Sequence, residues 1–157
     1  MAFIVEDGTG VTNANSYASV AFADTYFTER TIAGWTGTDA QKQAALIKAT
    51  DYIESFDFKG VEAEEDQALS FPRDVFTLIP LNLQKATVEY ALISLSSELQ
   101  SNDVTAGDGK VLTYDETRVG SIMEKKQYTV TGRTRNKYPK ADGLLKLFLR
   151  YSSTVVH

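Results

Sequence analysis

Six cations, Lys125, Lys126, Arg133, Arg135, Lys137 and Lys140, fall in a 16-residue span that holds no Asp or Glu and is interleaved with Tyr128 and Tyr138. Positive charge mixed with aromatic rings is the footprint of contact with nucleic acid or with an acidic protein surface. An exposed hairpin and linker is the other open reading. The opposite sign gathers at Glu62, Glu64, Glu65 and Asp66, a run suited to facing a DNA channel or a basic partner, or to being a solvated loop. Catalytic chemistry has less to draw on. The single histidine is His157, at a chain end where fraying is usual, so a His-dependent triad is not expected. With no cysteine there is no disulfide framework, thiolate zinc site or cysteine nucleophile. The chain has no GxSxG elbow and no HExxH pair, and neither carboxylate cluster has a matching one at metal-ligand spacing. Gly107-Asp108-Gly109-Lys110 lacks the two further intervening positions and the Ser or Thr of a phosphate loop, and reads instead as a tight turn. Neither an enzyme nor a metal or cofactor site is expected.

The length of 157 residues suits one domain able to bury its own core. The longest apolar runs fall far short of the roughly 18 to 20 residues of a membrane span, so no membrane contact is expected. Met1 to Asp7 carries acids and no basic stretch, unlike a secretory signal, so the chain is expected to act where it is made. The net charge of -5 conceals two regimes. Residues 1–106 hold 16 acids and 6 bases, while residues 107–157 hold 5 acids and 10 bases. Only the second part could attract nucleic acid, and an interface between copies could use both signs.

The elements that must position these residues are mostly helical. Ser19 can cap a first helix to about Thr31, with Phe22, Ala23, Tyr26 and Phe27 on its apolar side. Thr38 and Gln41 form a capping-box signature, after which Leu46, Ala49, Ile53 and Phe56 recur at helical spacing. The stretch from Phe56 to Ile79 is irregular, with room for one short helical turn. Pro80 suits the first turn of a third helix reaching about Gln100. Its broad apolar face, Val88, Leu92, Leu95 and Leu99 beside Leu83, Ala86, Tyr90 and Ile93, marks a central helix. Ala45, Ala49, Ala86 and Ala91 would let the second and third helices approach closely. Asp108-Gly109 is a hairpin-type turn signal, and Val111 to Tyr114 and Gln127 to Thr131 have the content of strands. Asp142 can cap a last helix packing through Leu144, Leu147, Phe148 and Tyr151. The expected fold is mainly α, a small bundle of about four helices with a small β-hairpin. Within a single domain over 1–157, an acidic helical core (1–106) precedes a basic β/loop segment (107–140) and a C-terminal helix (141–152).

Several segments, taken in order, carry a family resemblance. They are Asn15-Ser16-Tyr17, Ala23-Asp24-Thr25-Tyr26-Phe27, Trp35, Lys42 through Ala49-Thr50-Asp51-Tyr52, Gln67 through Phe71-Pro72-Arg73, Ile79-Pro80, Lys85-Ala86-Thr87, Ala91-Leu92 and Ala141 through Leu145. Across nearly the whole chain they resemble tailed-phage proteins often labelled DnaT-like single-stranded-DNA-binding proteins. These in turn are similar to the head-tail connector, or adaptor, proteins beneath the portal. The resemblance implies structural roles for Tyr17, Tyr26, Trp35, Thr50, Phe71, Pro72 and Arg73. Phe71 stands where the family commonly has Trp, a loss of one indole N–H that an apolar pocket tolerates. Arg73 is expected to pair with a carboxylate such as Asp51 or Asp74, or to be solvated. The adaptor resemblance implies a homo-oligomeric ring, expected to be twelve-fold, made in the host cytoplasm and built into the virion. Its partners would be the portal protein, a tail-side stopper or tail terminator, and the double-stranded genome passing through the lumen. Lys125 to Lys140 would then be a docking surface and Glu62 to Asp66 a lumen or partner face. Single-stranded-DNA binding is the alternative, but the best-matched region is the acidic one, the wrong sign for a strand-binding groove.

Overall fold

Ser19 and Thr38 start the first two helices by the means their side chains allow. In the computed structural model, which describes residues 2–100, 111–118, 123–129 and 138–150, Ser19 Oγ accepts from Phe22 N at 3.1 Å and α1 runs Val20–Glu29. Thr38 accepts from Gln41 N while Gln41 Oε1 accepts from Thr38 N, the reciprocal capping box, and α2 runs Asp39–Glu54. α3 spans Leu81–Ser94, the strands β1 and β2 span Val111–Arg118 and Met123–Thr129, and α4 spans Pro139–Leu145. The fold is mainly α. It divides into a helical unit, Met1–Leu99 with Lys137–His157, and a hairpin unit, Gln100–Asn136.

In the helical unit α3 is central. Ala86 through Ala91 are all buried, and α3 packs on both α2 and α4. Ala45, Ala49, Ala86 and Ala91 are buried as their small size required, and Ser94 Oγ reaches the backbone carbonyl of Ala45 on α2 at 3.2 Å. Ile53 is fully buried, whereas Leu92, assigned by periodicity to the same core, is only partly covered.

The helix ends depart from expectation. α3 stops at Ser94, short of Gln100, because Ser94, Ser96 and Ser97 turn their hydroxyls onto the carbonyls of the last turn. The backbone N–H groups of Ser96 and Ser97 crowd onto the same Ile93 carbonyl, so the ladder does not continue. The last helix begins earlier and ends sooner than expected. Pro139 occupies its first turn, Tyr138 is its N-cap, and Asp142 lies inside it, accepting from Tyr138 N at 2.9 Å. Its buried positions are Ala141 and Leu145, with Phe148 buried just beyond, while Leu147 is 68% exposed; Tyr151 lies outside the described residues. No helical turn occurs in the long loop between α2 and α3.

The hairpin unit pairs β1 with β2 antiparallel, setting Leu112 opposite Tyr128, Asp115 opposite Lys126, Glu116 opposite Lys125 and Arg118 opposite Met123, with an irregularity between Leu112 and Tyr114. The strands are longer than their β-branched cores suggested. Their connection is residues 119–122, so Asp108-Gly109 precedes the hairpin instead of closing it, and lies outside the described residues.

Candidate functional site

Asn15, Ser16, Tyr17, Asp24, Tyr26, Trp35, Lys42, Ser70 and Phe71, from the segments that carry the resemblance, fall in three polar-aromatic knots inside the helical unit. The first joins the N-terminal segment to α2 and the long loop. Asn15 pins residues 2–4, accepting from Ile4 N and donating to Ala2 O, and Ser16 Oγ closes on Ala18. Tyr17, fully buried, donates to Glu54 Oε1 and accepts from Phe71 N at 3.1 Å. Glu54 Oε2 takes the N–H and hydroxyl of Ser70 at 2.9 and 2.8 Å. Phe71 is fully buried within the rings of Tyr17, Phe58, Phe76 and Phe148, at centroid distances of 5.0 to 6.0 Å. The pocket that takes Phe71 is thus walled by aromatic rings.

Arg73 does not pair with Asp51 or Asp74. Its buried guanidinium donates to three backbone carbonyls, Lys59 at 2.7 Å, Ser70 at 2.9 Å and Gly60 at 2.6 Å. The loop offers more unsatisfied carbonyls than helical or strand ladders would leave, and a planar fork of donors collects them. Asp74 instead accepts from Val61 N and Val75 N. Pro72 is buried beside Arg73. Glu62, Glu64, Glu65 and Asp66 are all exposed on the same loop, so they form an acidic face and no internal site.

The second knot surrounds Glu89, a carboxylate buried on α3. Tyr26 of α1 donates to its Oε1 at 2.6 Å, and Lys140 of α4 approaches the same oxygen at 2.6 Å. Arg30 lies over the Tyr26 ring at 3.6 Å. Lys140, grouped by sequence with a docking surface, makes an ion pair within its own chain while its side chain stays 62% exposed. The third knot ties α1 to α2: Asp24 Oδ1 accepts from Trp35 Nε1 and Lys42 Nζ, each at 2.7 Å, and Trp35 packs on Phe27. Thr50 is buried with its hydroxyl on Leu46 O.

The rest of the expected basic surface divides in two. Lys125 and Lys126 sit in β2 at register positions opposite Glu116 and Asp115, so two of the six cations have opposite charges across the ladder. Arg133, Arg135 and Lys137 lie outside the described residues.

Sequence reasoning missed Glu6. It is buried, and its carboxylate accepts from Gly8 N, Gly10 N and Val11 N at 2.8 to 3.0 Å. Gly8 and Gly10 stand at φ 99° and 75°, which lets successive N–H groups curl round one anion. An acid followed by Gly-x-Gly was the available signal.

Burial pushes the Glu54 carboxyl above its usual range, against the lowering hydrogen bonds from Tyr17 and Ser70. Between its unfolded and folded pKa the native state holds more proton, so stability falls as pH rises through the interval just above the ordinary glutamate value. Glu54→Gln is expected to flatten that slope, read as the urea midpoint against pH; an unchanged slope would place its origin elsewhere. Asp24 acts with the opposite sign. The Lys42 hydrogen bond lowers its pKa, so its contribution is lost as pH falls below the ordinary aspartate range. The Tyr26 hydroxyl is raised to about 12 by burial and by Glu89, so it stays a donor at any physiological pH.

Among the described residues no group of three or more His, Cys, Asp or Glu gathers to hold a metal ion, and no helix is long and apolar enough to cross a membrane. No curated protein and no solved structure matches the chain. A family does: residues 1–157 match the one described as "Putative DnaT-like ssDNA binding protein". The match covers all three knots, the acidic loop and the hairpin unit, and the chain belongs to that family.

Proposed function

We propose that this protein is a structural adaptor of a tailed-phage virion, a ring subunit at the head-tail interface that joins the portal to a stopper or tail terminator and lets double-stranded DNA pass. The observation that carries the reading is the fate of the aromatic side chains. Among the described residues of the helical unit no Phe, Tyr or Trp is exposed, and the family-motif residues Tyr17, Tyr26, Trp35 and Phe71 are buried in knots that brace the bundle. A single-strand binder needs rings open to bases and a basic groove along the backbone. The helical unit instead offers solvent an acidic loop at Glu62, Glu64, Glu65 and Asp66, which repels phosphate and suits a channel wall that must not grip its cargo. In this reading the protein works by docking and has no catalytic step.

The description of the family favours a second reading, single-stranded-DNA binding in replication. Under it the hairpin unit, with Lys125, Lys126 and the nearby Arg133 and Arg135, would have to supply the contact. Two measurements separate the readings. Electron microscopy of purified particles is expected to show the protein as a ring below the portal. Fluorescence anisotropy with a labelled oligo-dT at physiological salt is expected to show no tight binding. Absence from the particle together with tight, salt-dependent oligonucleotide binding would replace the adaptor reading with the second.

A further inference from the structure

Among the described residues the hairpin is a two-stranded sheet, and a two-stranded hairpin standing as its own unit is marginally stable in water, because each of its strands has one edge of N–H and C=O groups with no ladder to a further described strand. Edges of this kind are templates for another strand. The charges in this hairpin specify which strand would fit. β1 carries Asp115 and Glu116 at adjacent positions and β2 carries Lys125 and Lys126, and the register sets Asp115 opposite Lys126 and Glu116 opposite Lys125. The open edge of β2 in one copy thus presents the sequence that already matches β1, and the open edge of β1 in another copy presents its complement.

We propose that the hairpins of neighbouring copies join edge to edge, β2 of one copy pairing antiparallel with β1 of the next in the charge-matched register used within the hairpin. Because every pair is then antiparallel and every copy gives one edge and receives one, the contact is head to tail. Repeated around a closed rotation it leaves no described strand edge of any copy unpaired. Opposite charges directly across such a ladder are favourable and like charges unfavourable, so the Asp-Glu and Lys-Lys pairs select both partner strand and register. This inference rests on the ring reading and adds the surface that closes the ring.

Two full-length variants test it in combination. Asp115→Lys with Glu116→Lys makes the hairpin basic on both strands; Lys125→Glu with Lys126→Glu makes it acidic on both. Each variant alone opposes like charges at every junction, within and between copies. In an equimolar mixture every junction between unlike copies is complementary, although each hairpin remains mismatched internally. Analytical ultracentrifugation, with the protein alone at high concentration and with portal rings, is expected to show association for the wild type and for the mixture but not for either variant alone. Circular dichroism melts check that the helical unit stays folded in both. A mixture that fails to associate overturns the pairing between copies and leaves the charges a role within the hairpin only. Wild-type rings that neither variant disturbs also overturn it while the adaptor reading stands. A wild-type chain that never associates, with or without portal rings, overturns the inference and the ring reading together.

Discussion

Replacing Phe71 by alanine is expected to cost the helical unit about 3 to 5 kcal/mol, the range for truncating a fully buried phenylalanine. The upper part of that range applies here. Phe71 is the hub on which Tyr17, Phe58, Phe76 and Phe148 converge, and these rings belong to three separate stretches, the N-terminal segment, the loop and the chain after α4. A cavity at the hub cannot be filled by collapse of one neighbour without pulling another from its place. Urea unfolding with Leu147→Ala as the control should show a large loss for the first and a change near zero for the second, since Leu147 is mostly in solvent. Equal losses would mean that the aromatic cluster is not the point where the loop is held.

Arg73→Lys is expected to be nearly as damaging, at roughly 3 kcal/mol, although it conserves the charge. Three carbonyls from Lys59, Gly60 and Ser70 converge on the Nε, Nη1 and Nη2 atoms of one planar group, and the backbone of Arg73 exchanges hydrogen bonds with Phe76. A lysine ammonium reaches one or two of these oxygens and leaves the others buried without donors, at about 1 to 3 kcal/mol each before relaxation. Because Arg73 faces only neutral carbonyls, its contribution should change little with salt, unlike that of an ion pair. The comparison of wild-type and Arg73→Lys melts at low and high salt checks both statements. A difference between the two proteins that vanishes in high salt would point to a carboxylate partner.

The same residues show why the sequence was informative in some places and silent in others. Helix starts were legible because capping acts within three residues: Ser19 with Phe22, and Thr38 with Gln41, are complete statements in themselves. The alanines of α2 and α3 were legible because small size has one common use in packed helices, and the broad apolar face of α3 required a central position. Leu147 was assigned to the packing face and Leu145 was not, because the helical periodicity was carried past Leu145, where the helix ends, and Leu147 lies beyond it.

Sequence alone therefore determined the class of the fold, the presence of a long irregular loop and hairpin, and the segregation of acidic from basic charge. These follow from local hydrogen bonding, periodicity and composition. Only the tertiary structure decided the partners of the polar groups. Arg73 met carbonyls instead of carboxylates, Lys140 met Glu89 of its own chain, Tyr17 met Glu54, and Glu6 met the amides of its own turn. The physical reason is that a buried polar atom takes whichever donor or acceptor packing has left unpaired. That remainder is known only once the elements are in place.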